Sequence, residues 1–168
     1  MKARSIKGKT ADDVAAALSQ VKADGYTPTL AIVFLPFESD RDGICTLFDT
    51  HGIAVFGAST AAQFTEQGVE TEGIAVLLLD IHPDYFRIEM QDFENGRVYE
   101  AAARLGEAGK QAFTHPAFII SMANFKASGE EVIRGLTDIA GDDVAIIGIV
   151  REPLIRDGGM RGSGRFRG

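Results

Sequence analysis

The stretch Ile53-Ala-Val-Phe-Gly-Ala-Ser-Thr-Ala-Ala62 is the segment that most constrains the fold. Its apolar first part, Ile53 to Phe56, predicts a buried strand. The small residues that follow predict a turn in which the backbone can approach a small ligand closely. Ser59 and Thr60 place two hydroxyl groups in that turn. The stretch therefore favours a binding loop at the end of a strand.

The flanking segments alternate between helical spacing and short apolar runs. Apolar residues that recur every three or four positions predict three helices, at residues 11–23, 98–113 and 130–140, and a shorter helix or turn at residues 41–49. Continuous apolar runs predict further buried strands, at residues 30–35, 73–79, 117–122 and 144–149. Strict alternation predicts a half-exposed strand at residues 86–91, paired antiparallel with residues 73–79 across a turn-rich linker. The order predicts an α/β fold: a mixed, mainly parallel sheet with helices on its faces and one antiparallel hairpin.

Composition limits the classes of function. The 168 residues favour one domain over residues 1–150, followed by a disordered tail, residues 151–168, with five glycines and five arginines. A net charge of −7 argues against binding nucleic acid or an anionic membrane. The longest apolar run, residues 74–79, is too short to span a bilayer. The lone Cys45 excludes an intrachain disulfide and favours a cytoplasmic location, and three isolated histidines predict neither a metal site nor a cofactor.

Three segments in order resemble the N-terminal half of FIST domains (F-box and intracellular signal transduction proteins). They are Gly57-Ala-Ser-Thr-Ala61, Gly73-Ile-Ala-Val-Leu-Leu-Leu79, and Gly129-Glu-Glu-Val-Ile-Arg-Gly-Leu136 with the following strand Val144-Ala-Ile-Ile-Gly148. The resemblance covers residues 10–148. A Gly-Glu pair of the family is replaced here by Ala62-Gln63, and the family's C-terminal half has no counterpart in these residues.

The resemblance implies an intracellular, non-catalytic sensory module. Such a module binds a small molecule such as an amino acid and passes the change to a signalling output protein. Because open parallel sheets bind ligands beyond the carboxyl ends of their strands, we expect the ligand contacts there. The predicted contacts are Phe37, Glu38, Gly57, Ser59, Thr60, Gln63, Asn124 and Gly148. We expect Ser59 and Asn124 to line one pocket.

Two alternatives remain open at this point. Gly57-x-Ser59-x-Ala61 approximates the G-x-S-x-G turn of serine hydrolases, in which Ser59 is the nucleophile. Asp80 or Asp84, and then His115, follow in the chain order of such enzymes. The second alternative is a truncated half-domain without independent activity, suggested by the loss of the family pattern after residue 148 and the basic tail.

Overall fold

The computed structural model describes residues 1–60, 63–65, 68–70, 73–93, 96–122, 128–150 and 153–156. Four helices are described: α1 (Ala11–Ala23), α2 (Arg41–Thr50), α3 (Val98–Ala112) and α4 (Gly129–Ala140). The described strands are β1 (Lys2–Gly8), β2 (Leu30–Leu35), β3 (Ala54–Ser59), β4 (Gln63–Thr65), β5 (Gly68–Glu70), β6 (Ile74–Asp80), β7 (Ala117–Met122), β8 (Ala145–Val150) and β9 (Pro153–Arg156). A short 3₁₀ helix covers Pro83–Tyr85.

The chain divides into two compact units, whereas the sequence predicts one domain over residues 1–150. Unit 1 comprises residues 1–86 and 153–168, and unit 2 comprises residues 87–152. The predicted mixed α/β class is confirmed, since helices and both kinds of strand pairing are present. The balance of pairings differs from expectation: in the described residues β2–β3 and β7–β8 are parallel, and the other four pairs are antiparallel.

Unit 1 is built on a five-stranded sheet with the order β1-β6-β2-β3-β9. Helices α1 and α2 lie on one face, where Leu18 and Phe48 are fully buried against Val33, Val55 and other apolar side chains of the sheet. The capping box at the start of α1 satisfies backbone N–H groups that the helix leaves unpaired. Burial of large aliphatic and aromatic side chains between helix and sheet supplies the main stabilisation of this unit.

The two ends of the five-stranded sheet are fixed by the strand register. At one end, called the Ser59 end, Ser59 of β3 lies opposite Leu35 of β2, and Ile74 of β6 lies opposite Gly8 of β1. At the other, called the Tyr26 end, Lys2 of β1 pairs with Asp80 of β6. Since β2 leads into α2 and β1 leads into α1, both helices begin at the Ser59 end.

Unit 2 packs α3 and α4 together and against β7 and β8. Val98, Ala102 and Leu136 are buried in its core, with Phe118 and Ile146 packed against them. The two helices approach closely at Gly135, where an added Cβ would lie 2.8 Å from the Cβ of Ala102. A larger residue at position 135 would therefore push the helices apart.

The predicted strand at residues 86–91 is wrong. The structure has the 3₁₀ helix Pro83–Tyr85 followed by chain without helix or strand up to residue 93. The physical reason is that β6 has no open edge for a hairpin partner, because β1 occupies one side and β2 the other. Strand β1 escaped prediction because its sequence, Lys-Ala-Arg-Ser-Ile-Lys-Gly, is polar and mostly exposed.

The tail also differs from expectation in its first part. Pro153–Arg156 forms β9, which pairs antiparallel with β3 through the register Ala58 to Pro153 and Val55 to Arg156. Backbone pairing with the edge strand β3 gives these four residues a strand conformation. The rest of the predicted tail, residues 151–152 and 157–168, lies outside the described residues, and its disorder stays a prediction.

Candidate functional site

The candidate site lies at the Ser59 end of the five-stranded sheet, where the parallel strands β2 and β3 terminate side by side. The Thr60 backbone N–H donates to the Leu35 carbonyl at 2.8 Å, which ties the two strand ends together. Beyond β2 the chain continues through Phe37 and Glu38, and Phe37 is 46% exposed. This arrangement, two parallel carboxyl ends side by side, is where open sheets with helical connections bind ligands.

Ser59 is the most unusual residue of this end. It is completely buried, and it is the only polar or charged residue in the buried class within the described part of the chain. Its Oγ has no hydrogen-bond partner among the described residues. Directly opposed residues of a parallel pair point to the same face, so the hydroxyl lies with Leu35 on the face that carries α1 and α2. A buried hydroxyl without a partner is unfavourable, and in native proteins such groups call for an explanation.

Gly57 lies within β3, where it has a structural role in the sheet. The sequence places it in a binding turn, but the structure includes it in β3, paired with Val33 of β2. A Cβ built at Gly57 would overlap the Val33 carbonyl oxygen. Glycine is therefore required at this position for the close approach of β2 to β3. This requirement explains Gly57 without any ligand.

The predicted contacts separate into three groups. Phe37, Glu38, Ser59 and Thr60 lie together at the Ser59 end of unit 1. Asn124 lies outside the described residues, and only the backbone of Gln63 is described, at the start of β4. Gly148 is in β8 of unit 2, with no heavy atom within 4 Å of a Cβ built on it. The shared pocket of Ser59 and Asn124 stays a prediction.

Charged residues that the sequence analysis missed also lie at this end. Asp40 caps α2, its Oδ1 accepting from the Gly43 N–H at 2.8 Å, and Arg41 begins that helix. At the start of α1, Asp13 Oδ2 accepts from the Lys9 N–H at 2.9 Å. These backbone bonds, that from Lys9 first, lower the pKa of the Asp13 carboxyl below its usual value. The sequence analysis did not place Lys9 at the Ser59 end because strand β1, which brings it there, was not predicted.

The serine hydrolase alternative meets two contradictions. A nucleophile elbow holds its serine on a sharp, strained turn, whereas Ser59 ends a regular strand and no described non-glycine residue has a positive φ. Asp80 lies at the Tyr26 end of β6, whereas Ile74 of the same strand lies at the Ser59 end. Six residues of extended strand separate the two, which corresponds to about 20 Å. Asp84 follows only four residues later, and His115 belongs to unit 2. Asp80 is therefore excluded as the triad acid.

The described ranges also bear on metal binding and on membrane spanning. They contain no group of three or more His, Cys, Asp or Glu side chains able to hold a metal ion. Across the same ranges, the described helices are too short or too polar to cross a bilayer. Cys45 is buried in α2 and forms no disulfide.

One comparison with known proteins identifies a family. The family model described as "FIST N domain" matches residues 29–149 of the 168-residue chain. The match spans β2 to β8 and includes Ser59. No curated protein and no solved structure matches the chain.

Proposed function

Because the chain belongs to the FIST N domain family, a family of signal-transduction domains, we propose that it senses a small molecule at the Ser59 end of its five-stranded sheet. The observation that carries this proposal is the Ser59 hydroxyl, which is buried and has no partner among the described residues. A bound ligand that donates to or accepts from this hydroxyl removes the cost of burying it unpaired. The role proposed is binding, without catalysis.

The charges at this end support a zwitterionic ligand such as an amino acid. Lys9 and Arg41 contribute positive charge near the starts of α1 and α2. Glu38 contributes negative charge after β2, and the carboxylates of Asp13 and Asp40 add negative charge while they cap the two helices. A carboxylate is stabilised by cationic side chains, and an ammonium group by a carboxylate. The hydroxyl of Ser59 then supplies a neutral, directional contact.

Burial of the contact provides a means of signalling. Since Ser59 has no solvent exposure, a ligand reaches its hydroxyl only when the residues that cover it move. A ligand that binds the opened form better than the closed form shifts the population toward the opened form. We propose that a signalling output protein responds to this change of population.

A thermal-shift screen of the full chain tests the proposal. The probes are free amino acids and small carboxylates, applied to the wild-type protein and to Ser59→Ala. A ligand at about 100 times its dissociation constant stabilises the folded protein by about 2.7 kcal/mol. We expect one class of probe to raise the melting temperature of the wild type, and Ser59→Ala to weaken that binding by about 0.5–1.5 kcal/mol.

Two controls sharpen the screen. Ser121→Ala removes another buried hydroxyl without a partner, in β7 of unit 2, and is expected to leave ligand binding unchanged. Chromogenic esters test the hydrolase alternative directly. If no probe shifts either protein, the sensing role is wrong and the half-domain alternative gains support. Ester hydrolysis that disappears in Ser59→Ala would show an enzyme instead.

A further inference from the structure

Strand β9 brings the chain back to the five-stranded sheet after unit 2. Unit 1 comprises residues 1–86 and 153–168, and β9 is its only described part beyond residue 86. The strand lies at one edge of the sheet and, among the described strands, pairs only with β3, which ends in Ser59. The chain itself therefore connects unit 2 to the neighbour of the strand that carries Ser59.

The hydrogen bonds of β3 show which of its backbone groups face β9. The N–H groups of Ala54 and Thr60 donate toward the β2 side, at 2.9 and 2.8 Å. Backbone groups of successive strand residues point to alternate sides, so every second residue from Ala54 to Thr60 faces β2. The residues between them, including Val55 and Gly57, face β9.

The register converts this orientation into a specific set of bonds. Val55 lies opposite Arg156 and Gly57 opposite Leu154, so these are the hydrogen-bonded pairs of β3 and β9. Two pairs with two bonds each give about four hydrogen bonds. Ile155 alternates with the bonded residues, so its N–H points away from β3. Few bonds therefore hold β9 on the sheet.

Helix α2 places β9 beside the layer in which Ser59 is buried. The Ser59 hydroxyl lies on the face of the sheet that carries the helices. On this face α1 contacts β1, whereas α2 contacts both β3 and β9. Strand β9 therefore closes the outer side of the layer between α2 and β3. Without β9, β3 becomes the edge of the sheet and that side opens.

We propose that β9 is a displaceable strand that closes the Ser59 site, and that its release from β3 admits the ligand to the Ser59 hydroxyl. This rests on the binding role proposed above and names the element whose movement that role requires. A short edge strand can open locally while the other strands of the sheet stay paired. A ligand that binds the open form favours release of β9, and the change passes along the chain.

Thiol labelling of the full chain with iodoacetamide measures how often this side of the layer opens. Because Cys45 is the only cysteine, Ser59→Cys in a Cys45→Ala background carries a single thiol at the site. Leu154→Pro removes the N–H that faces Gly57, and Ile155→Pro is the matched control, since it removes an N–H that points away from β3. We expect Leu154→Pro to speed labelling at least about tenfold and Ile155→Pro to change it less than about threefold.

Amide hydrogen exchange tests the same opening with the natural Ser59 in place. In the wild type, the amides of Val55 and Gly57 should exchange faster than those of Phe56 and Ala58, because only the first two lose their partners when β9 leaves. Leu154→Pro should accelerate the exchange of the first two amides alone. Equal exchange of all four amides in the wild type, with no selective acceleration in the variant, overturns the proposal.

The labelling has two outcomes that also overturn the proposal. One is equal labelling at position 59 in Leu154→Pro and Ile155→Pro. The other is an equal acceleration of Ser121→Cys, which carries its thiol in unit 2, because the whole chain then opens. No ligand is used, so a failure here is distinct from a failure of the amino-acid screen. Faster labelling without any ligand-induced rise in melting temperature keeps β9 as the closing strand and removes the sensing role.

Discussion

Replacing Ser59 by alanine should stabilise the ligand-free protein, although most substitutions of buried residues destabilise. The Ser59 hydroxyl is fully buried and has no partner among the described residues. Such a group costs about 1–3 kcal/mol relative to one that is hydrogen-bonded or solvated. Removing one oxygen leaves a space smaller than a methyl group, which costs up to about 1 kcal/mol. We therefore expect the free energy of unfolding to rise by about 0.5–2 kcal/mol.

Urea unfolding followed by circular dichroism measures this change. For a chain of this length, 1 kcal/mol corresponds to a rise in melting temperature of about 2–4 °C. Ser5→Ala is the solvated control, because Ser5 is half-exposed on the edge strand β1, and its effect should stay within about 0.5 kcal/mol. Ser121→Ala should behave like Ser59→Ala in stability.

A loss of stability in Ser59→Ala would contradict this prediction. If Ser59→Ala lowers the free energy of unfolding by about 1 kcal/mol or more, the hydroxyl has a structural partner in the folded protein. The hydroxyl then needs no ligand to complete its hydrogen bonding. A gain in stability together with a loss of ligand response supports the proposed trade of stability for binding.

Three further predictions concern the framework of unit 1. Gly57→Ala should destabilise the protein by more than about 2 kcal/mol in urea unfolding, because the added Cβ meets the β2 backbone, whereas Gly148→Ala should be nearly neutral. Tyr26→Phe should cost about 1–3 kcal/mol, since the hydroxyl, which has one proton, lies 2.8 Å from the Lys2 carbonyl and 2.9 Å from that of Leu78. Burial raises the pKa of Tyr26 above its usual value of 10.0. The contribution of the neutral hydroxyl to the free energy of unfolding is therefore complete below pH 10.0 and is lost as pH rises through the raised pKa. Tyrosinate absorbance during alkaline unfolding measures this loss. Backbone hydrogen bonds lower the pKa of Asp13 below its usual value of 3.8. Its contribution to the free energy of unfolding is therefore present above pH 3.8 and is lost as pH falls through the lowered pKa. Asp13→Asn should flatten this part of an acid-unfolding profile.

Local sequence patterns were sufficient to predict the helices and strands that bury a regular set of apolar side chains. Helix α1 was predicted with the observed bounds because Thr10, Asp13 and the spacing of Val14 and Leu18 all specify the same helix. Strand β2 was predicted with the observed bounds because a run of six apolar residues that ends at a proline is typical of a buried strand. The cluster formed by Phe37, Glu38, Ser59 and Thr60 followed from the same patterns, since each residue comes directly at or after a strand end.

Other features depend on which strands become neighbours in the sheet, and these were visible only in the tertiary structure. The alternation of residues 86–91 predicts a strand, but pairing requires a free edge, and β1 already occupies the one beside β6. The close approach of Gly57 to the Val33 carbonyl follows from the strand register, which the local sequence does not contain. Asp80 stood in the right order for a triad but lies at the far end of the sheet from Ser59. The local sequence specifies which residues are apolar, which cap a helix and which form a turn. Long-range pairing determined which backbone groups are satisfied, because hydrogen bonding between strands does not depend on their distance along the chain.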